Sequence, residues 1–289
     1  MREFVVTTES NSDMDPVYLE ENEVGVIPHY YSVEEEVYGD GRELTNREFY
    51  DAMRAGRRAA TMPSDPAVIL EKFEAYAQQG KDILHISFSS ALSPGYSHVV
   101  DGANVVMGKH PEMKIVVIDT LSASLGEGIM IRKAVEMKKE GRSLEETAEW
   151  IREHCPHLNI QFTVDDLNFL YRGGRLSKSS AIFGTVINIK PILYFDKEGK
   201  LVALDKVRGR KNALTALVDN MEARLGEFRD KQVFIGIVHG DCEADAKYVA
   251  NTITDRFGYT DIVIRPVGPS IGAHSGPGAV GIIFLGDKK

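Results

Sequence analysis

The feature that most constrains the fold of this chain is the alternation of short β-rich runs with helical patterns. Phe4 to Thr8 and Ile83 to Phe88 have the composition of buried strands, and between them Thr45 and Glu48 form a capping-box pattern that opens a helix. Strands that alternate with helices are typical of α/β folds built on a parallel sheet. The first half of the chain therefore predicts a mostly parallel sheet covered by helices.

The pattern changes after Pro156. Asn188 to Phe195 and Leu201 to Val207 flank the sequence Lys-Glu-Gly-Lys, which predicts a β-hairpin and therefore antiparallel pairing. We predict an α/β protein of two domains. An N-terminal, mostly parallel α/β domain spans residues 1–157, and a C-terminal α+β domain with antiparallel strands spans residues 158–289.

Composition narrows the class of partner and the compartment. The formal net charge of −9 disfavours a general nucleic-acid-binding role, which needs clustered positive charge. Cys155 and Cys242 lie far apart and form no CxxC motif, which fits a reducing cytoplasm. The N-terminus lacks the pattern of a signal peptide, and no stretch of 18 apolar residues occurs. We therefore expect a cytoplasmic protein.

Three hydroxyl-rich segments follow predicted strands of the first half. They are Thr7 to Asp13, Ser89 to Tyr96 and Asp119 to Ser124. Ligands of open parallel sheets bind at the carboxyl ends of the strands, so these segments predict a polar, mostly uncharged rim around a binding site. The alternative is that the hydroxyls only cap helices, which serine and threonine often do.

Two glycine-rich segments carry candidate anion ligands. Gly268 to Gly278 surrounds His274 with glycine and proline, which predicts a loop of fixed shape. Tyr171 to Ser177 places Arg172 and Arg175 beside paired glycines, a pattern that suits anion capture, and we take Arg172 as the candidate ligand. The alternatives are a structural connection with an incidental histidine, and a helix end followed by a surface turn.

Motifs of metal and nucleotide chemistry are missing. There is no P-loop and no HExxH. His154, Cys155 and His157 resemble a metal cluster in composition, but a helix end before Pro156 explains them better. We therefore expect no cofactor, no metal and no catalytic residue.

Taken together and in order, several short blocks resemble the DegV family, and they spread over almost the whole chain. The blocks are Thr8-x-Ser10-x-x-Asp13, Thr61-Met62-Pro63-Ser64, Ser89-Ser90-x-Leu92-Ser93-x-x-Tyr96, Val117-Ile118-Asp119-Thr120, Leu170-x-x-Gly173-Gly174-Arg175-Leu176-Ser177, Ile189-Lys190-Pro191-Ile192-Leu193 and Gly268-x-x-x-Gly272-x-His274-x-Gly276-Pro277-Gly278.

The resemblance implies a bacterial lipid-binding protein that is not itself an enzyme. Its two α/β domains would bury a long-chain fatty acid of the palmitate or oleate class between them. A fatty acid kinase partner would phosphorylate the exposed carboxylate to give an acyl phosphate for phospholipid synthesis. The carboxylate contacts of the family fall on Thr61 and Ser93, and Arg172 and His274 lie in segments that approach the head group.

Two departures from the family pattern affect these contacts. The family usually has Thr-Ser-Gln-Pro-Ser where this chain has Ala60 to Ser64, so Thr61 replaces a serine. The family's Leu-Ser-Gly-Thr-Tyr is here Leu92 to Tyr96, and Pro94 removes one backbone N–H that could hold an anion.

Two other functions remain open from the sequence. An acyl transferase or hydrolase would use Ser93 as nucleophile and His274 as base. A phosphosugar-binding module would need a polar pocket, whereas the second half supplies apolar segments such as Ile187 to Leu193. Brief contact with a membrane surface during lipid exchange is a further expectation.

Overall fold

The computed structural model describes residues 2–176 and 188–287, so Ser177 and Ile187 lie outside the described residues. In chain order the strands are β1 (Phe4–Glu9), β2 (Gly25–Ile27), β3 (Tyr30–Val33), β4 (Glu36–Tyr38), β5 (Ala59–Met62), β6 (Asp82–Ser87), β7 (Ile115–Asp119), β8 (Leu158–Thr163), β9 (Ile189–Phe195), β10 (Leu201–Arg208), β11 (Ile235–His239), β12 (Ile262–Pro266) and β13 (Val280–Leu285). The α-helices are α1 (Pro16–Glu21), α2 (Asn46–Arg54), α3 (Pro66–Gln78), α4 (Gly95–Lys109), α5 (Leu125–Lys139), α6 (Leu144–His154), α7 (Asn168–Arg172), α8 (Arg210–Leu225), α9 (Glu243–Phe257) and α10 (Pro269–Ser275).

The first half forms the parallel sheet that the sequence predicts, in the order β2-β1-β6-β7. Every residue of β1 and β6 is buried, because helices cover both faces of the sheet. Helices α3 and α4 pack on one face and helices α5 and α6 pack on the other. The predicted capping box of Thr45 with Glu48 starts α2, and a second capping box, Ser143 with Glu146, starts α6.

The second half forms a six-stranded mixed sheet in the order β10-β9-β8-β13-β11-β12. The pairings are antiparallel except for β11 with β12. The predicted hairpin is present as β9 and β10, and helices α8 and α9 cover one face of this sheet. The α/β architecture with a parallel and a mixed sheet is therefore confirmed, while the domain boundary at residue 157 stays a prediction.

Helix α5 joins the two sheets into one core. Ile129, Met130 and Ile131 are fully buried, and they belong to a hydrophobic cluster that includes Phe4 of the parallel sheet and Phe162 of the mixed sheet. A helix buried on all sides is expected to be apolar around its circumference. The two sheets therefore pack against opposite sides of α5, and any cavity that lies beside this helix has walls from both.

A small antiparallel sheet, ordered β4-β3-β5, was not predicted as a unit. Its strand β5 pairs Thr61 with Tyr31 of β3, which fixes the position of the predicted ligand residue. No hairpin turn marks this pairing along the chain, since α2 lies between the two strands.

The prediction of a loop over Gly268 to Gly278 was wrong, because most of this segment is the helix α10. Pro269 occupies the first turn, where its fixed φ favours a helix and its missing N–H costs nothing. Gly276 ends the helix with a φ of 75°, a left-handed conformation that glycine adopts without strain.

Candidate functional site

The carboxyl ends of the parallel strands meet at one edge, as expected. Several hydroxyls there have structural partners. Ser89 Oγ donates to the carbonyl of Gly199 at 3.0 Å, in the turn between β9 and β10, and Thr120 Oγ1 donates to the carbonyl of Ser87 at 2.8 Å. Ser124 Oγ donates to the buried carboxyl of Asp13. These hydroxyls hold the loops and the two sheets together, which is a structural role but not the helix capping that the alternative predicted.

An apolar cavity, here called the inner cavity, opens at this edge and extends to the mixed sheet. It has a volume of about 970 Å³, counting the part that is open to solvent. Its apolar lining comes from both halves of the chain: Phe88, Leu92, Ala123, Ile160, Phe162, Phe195, Leu201, Val238, Val267, Ile271, Ala279 and Ile283. A pocket lined by hydrocarbon with few polar groups suits a largely apolar ligand.

Thr61 and His274 form the polar end of the inner cavity. Thr61 Oγ1 and His274 Nε2 are 2.8 Å apart and share a hydrogen bond. Burial, together with the positive charge of nearby Arg175, lowers the pKa of His274 to about 4. The imidazole is therefore neutral at physiological pH, and it can donate from one nitrogen and accept at the other.

Gly173 allows His274 to lie where it does. A Cβ at this position would fall inside van der Waals contact of His274 Nδ1. Gly173 has an ordinary helical φ of −74°, so glycine is required for space and not for conformation. Gly174 is the opposite case, with a φ of 71° and no other atom within 4 Å of the point that a Cβ would occupy.

Substitution at the two glycines separates the need for space at Gly173 from the need for a left-handed conformation at Gly174. Gly173→Ala is expected to push the His274 ring away from Thr61 and to destabilise the fold by about 1–3 kcal/mol through overpacking. Gly174→Ala, the control, is expected to cost about 1 kcal/mol of backbone strain and to leave His274 in place. The measurements are urea unfolding and the ring ¹⁵N NMR shifts of His274. Unchanged His274 shifts in Gly173→Ala would contradict the steric argument.

Ser93 lines the inner cavity at the amino end of α4. Its Oγ accepts a hydrogen bond from the N–H of Gly95 at 3.1 Å. His29 is a neighbour that the sequence patterns did not reveal: a Cβ on Gly95 would lie 3.3 Å from Ser93 Oγ and 3.6 Å from His29 Nε2. His29 is 7% exposed, and its Nε2 has no hydrogen-bond partner within the described ranges. Because His29 follows β2, the strand-end rule could have identified it.

A second cavity, here called the outer cavity, shares Thr61, Arg175 and His274 with the inner one. It has a volume of about 1290 Å³ including open space. Arg172 lies here and is exposed; its Nε donates to the carbonyl of Asn168 at 3.2 Å. Thr61 and His274 are thus in direct contact, Ser93 shares the inner cavity with them, and Arg172 lines only the outer cavity.

Arg175 belongs to the predicted anion-capture pattern but was not chosen as a site residue. It is half-buried and lines both cavities. Its Nε donates to the carbonyl of Leu92 at 3.1 Å, and NH1 donates to the carbonyl of Gly173. Burial lowers the pKa of its guanidinium, which nevertheless remains charged. The paired-glycine motif contained this residue, but spacing alone did not show which arginine turns inward.

The hydrolase alternative needs a serine, a histidine and an orienting acid in contact. In the part of the chain that the structure describes, His274 Nε2 bonds to Thr61 and not to Ser93, and His274 Nδ1 has no partner. The same ranges contain no group of three or more His, Cys, Asp or Glu side chains placed to hold a metal ion. None of their helices combines the length and apolar character needed to cross a membrane.

Comparison with known proteins gives a consistent relationship over the full length. The model of the DegV family, described as uncharacterised proteins, matches residues 3–287. A DegV domain-containing protein of Clostridium perfringens is 35% identical over 100% of this chain and 99% of its own length.

Two solved structures are similar in fold along the whole chain. A DegV family protein from Thermus thermophilus, described by its fatty acid binding, has a TM-score of 0.87 and 25% identity, with 99% of this chain and 100% of that chain covered. A DegV family protein from Ruminococcus gnavus, solved with vaccenic acid, has a TM-score of 0.87 and 25% identity, covering 97% and 99% of the two chains. Together with the sequence blocks, these matches show that the chain belongs to the DegV family.

Proposed function

We propose that this protein binds a long-chain fatty acid in the inner cavity and presents its carboxylate to a fatty acid kinase partner. The observation that carries the proposal is the apolar cavity that ends at the hydrogen-bonded pair of Thr61 and His274. Fatty acid binding by similar DegV structures supports it. The apolar lining also argues against a phosphosugar ligand.

The acyl chain supplies most of the binding free energy. Burial of about 14 methylenes at roughly 0.8 kcal/mol each contributes about 11 kcal/mol before the costs of association. We infer that Thr61, Ser93 and His274 then need only to orient the carboxylate. Neutral hydroxyl and imidazole donors leave the carboxylate more reactive than an ion pair with arginine would.

Open space beside the head group supports presentation to a partner. Thr61 and His274 form the wall between the inner and outer cavities, and the outer cavity opens to solvent. A kinase docked there would have its nucleotide's terminal phosphoryl group within reach of the carboxylate. The phosphorus–oxygen bond to the nucleotide diphosphate would break as the bond to the carboxylate oxygen forms.

Lipid binding is tested directly on the purified protein. Native mass spectrometry followed by organic extraction should release close to one equivalent of a long-chain fatty acid. Protein that is empty should take up palmitate or oleate at the same stoichiometry. The lipid-binding proposal would be contradicted by protein that releases no fatty acid and takes up none, while its circular dichroism spectrum shows that it is folded. Esters and phosphosugars would then be screened.

A basic segment, formed by Lys206, Arg208, Arg210 and Lys211 at the end of β10 and the start of α8, is a candidate docking surface for the kinase. Arg208 and Lys211 are exposed, whereas Arg210 pairs with Asp245 at 2.8 Å. Arg208→Glu with Lys211→Glu is expected to lower kinase-dependent acyl phosphate formation about tenfold without changing palmitate affinity, because rim charges act mainly on encounter.

Two charge reversals elsewhere on the molecule provide the control. Lys109→Glu with Lys139→Glu makes the same change in net charge on α4 and α5. The two double variants are compared by hydroxylamine trapping of the acyl phosphate at low salt. Equal turnover in both would mean that the basic segment is an ordinary solvent-exposed surface and does not bind the kinase.

A further inference from the structure

The floor of the inner cavity is the face of the mixed sheet that lies opposite α8 and α9. Along β13 and the residue before it, Ala279, Gly281 and Ile283 face the cavity and line it. Val280 and Ile282 belong to the hydrophobic cluster that α8 and α9 cover on the other face. The cavity-facing positions of this strand therefore carry a small side chain, then none, then a large one.

Gly281 lies between two larger residues of the neighbouring strands. It pairs with Phe162 of β8 on one side and with Val238 of β11 on the other. Both side chains line the inner cavity and are buried. The missing side chain leaves a groove along β13, here called the β13 trough, with Phe162 and Val238 as its sides and Ile283 at one end.

Neither the backbone nor the packing of the protein itself requires glycine at position 281. Strand β13 pairs with both neighbours without a register shift, and the φ of Gly281 is not positive. A Cβ here would lie 3.1 Å from Val238 Cγ2 and 3.3 Å from Phe162 Cβ, so the neighbours would need to move by only a few tenths of an ångström. Glycine inside a strand that has no bulge often marks the close approach of a ligand or of another backbone.

Gly236, on the adjacent strand β11, is a glycine that packing does require. A Cβ there would lie 3.1 Å from Leu125 Cβ and 3.3 Å from Leu125 Cδ1, because α5 packs directly onto this glycine. At Gly281 the three nearest atoms all belong to the sheet, and the space above the glycine is the inner cavity. The space over Gly281 is therefore left for a ligand.

The polar end of the cavity lies near the start of β13. His274 belongs to α10, which ends a few residues before this strand begins. From Ala279 to Ile283 the chain advances by about 13 Å, since a strand rises about 3.3 Å per residue. A ligand whose head group contacts His274 therefore reaches Ile283 only with the far part of its chain.

We propose that Gly281 is a specificity-determining residue that selects which acyl chains the inner cavity accepts. Resting on the proposed function, the chain of the fatty acid lies in the β13 trough against the backbone of Gly281, and Ile283 limits its length. A trough as narrow as one missing side chain admits a row of methylene groups, whereas a methyl branch at this point would meet Phe162 or Val238. The substrate class is therefore an unbranched fatty acid of limited length.

Two glycine substitutions test the proposal on lipid-free protein. Gly281→Ala should weaken palmitate binding about tenfold or more in calorimetry, because the added methyl group fills the trough. Gly236→Ala places the same methyl group on the same sheet outside the cavity, and it should change palmitate affinity by less than about twofold. Urea unfolding shows whether each variant is folded. Equal loss of affinity in the two variants, or no loss in Gly281→Ala, would overturn the proposal.

Ile283→Val tests the end of the trough. The removal of one methyl group should lengthen the best-bound saturated fatty acid by about one methylene, because one methylene in an apolar pocket is worth about tenfold or more in discrimination. The measurement is the affinity for each member of a series from laurate to stearate. An unchanged length preference would overturn the role of Ile283.

A measurement on the unmodified protein does not depend on the folding of any variant. Isotope-filtered NMR of the complex with ¹³C-labelled palmitate should show nuclear Overhauser contacts from chain methylenes to the α protons of Gly281 and to the methyl groups of Val238. The absence of these contacts in a saturated complex would contradict the placement of the chain in the trough.

Hexadecanol, which has the same chain without the carboxylate, separates failure of the trough from failure of the proposed function. Hexadecanol binding that depends on Gly281, in a protein that binds no palmitate, would support the trough and reject the fatty acid proposal. Palmitate binding with neither contact nor dependence at Gly281 would reject the trough and leave the fatty acid proposal intact. Binding of neither ligand would reject both.

Discussion

On the proposed function, a chain that carries Thr61→Val and Ser93→Ala is expected to keep its fatty acid but to support phosphorylation about 100-fold more slowly. The tail contributes about 11 kcal/mol of gross binding free energy, whereas each hydroxyl contributes about 1.5–3 kcal/mol through a charge-assisted hydrogen bond. Affinity therefore falls while occupancy persists at micromolar protein. Misplacement of a reacting group by about 1 Å can cost 100-fold in rate, so transfer suffers more than binding.

The double variant also removes the hydrogen-bond partner of a buried imidazole. His274 Nε2 would lose its 2.8 Å contact with Thr61. An unsatisfied buried polar group costs about 1–3 kcal/mol, so the free energy of unfolding is measured beside turnover. Ser97→Ala with Thr254→Val removes two exposed hydroxyls as a control. These two hydroxyls donate to the carbonyls of Pro94 and Tyr259 and lie outside both cavities.

Lipid content and acyl hydroxamate yield together decide this prediction. Lost lipid with a stable fold would mean that the polar end, and not the apolar tail, dominates binding. Full turnover with retained lipid would mean that the hydroxyls of Thr61 and Ser93 do not orient the carboxylate.

Local patterns predicted the architecture because burial and capping leave clear traces in sequence. The fully buried strands β1 and β6 are built around the apolar residues Phe4 to Val6 and Ile83 to Leu84, and the predicted capping box of Thr45 with Glu48 marked the start of α2. The helix α10 was missed because its glycines and prolines resemble loop composition, although Pro269 at the first turn is a recognised helix-start signal. The high glycine content of this segment was wrongly taken to indicate a loop.

The candidate site was only partly predictable, because its geometry depends on contacts between distant segments. The contact of Thr61 with His274 joins residues 213 positions apart. The inward turn of Arg175 and the space left by Gly173 depend equally on how α7 packs against α10. No spacing rule within one segment carries that information. Arg172 was therefore predicted to be a site residue, and Arg175 was not.

Buried acids beneath the site give the second large prediction, on stability and pH. Glu127, on α5, is fully buried, and neither of its carboxylate oxygens has a hydrogen-bond partner in the ranges described. Burial, with the negative charges of Glu9 and Asp13, raises its pKa well above the usual value. Burial likewise raises the pKa of Asp13 to about 7, although hydrogen bonds from Ser124 and from the N–H of Gly268 lower it in part.

Glu9 differs from these two carboxyls. Burial alone would raise its pKa, but the nearby His85, 3.6 Å away, and the hydroxyl of Ser87 hold it below the usual value. Glu9 is therefore the ionised member of the group. Its charge is one reason why Glu127 retains a proton.

A raised carboxyl pKa makes the folded state bind a proton that the unfolded state has released. The unfolding free energy then falls as pH rises, by up to about 1.4 kcal/mol per pH unit for each such group. For Asp13 this loss runs from its ordinary pKa of 3.8 up to about 7 and then stops, because the group is ionised in both states above that value. For Glu127 the loss begins above its ordinary pKa of 4.5 and continues up to its raised pKa in the folded state.

Glu127→Gln should therefore flatten the stability profile above pH 4.5, the ordinary pKa of a glutamate. The amide cannot ionise, so the slope of up to about 1.4 kcal/mol per pH unit is removed over that range. Glu145→Gln is the control: Glu145 is exposed, and its ion pair with Lys114 lowers its pKa. Urea unfolding of the three proteins at half-unit pH steps measures the slopes. Parallel profiles for wild type and Glu127→Gln would mean that Glu127 is ionised in the folded protein.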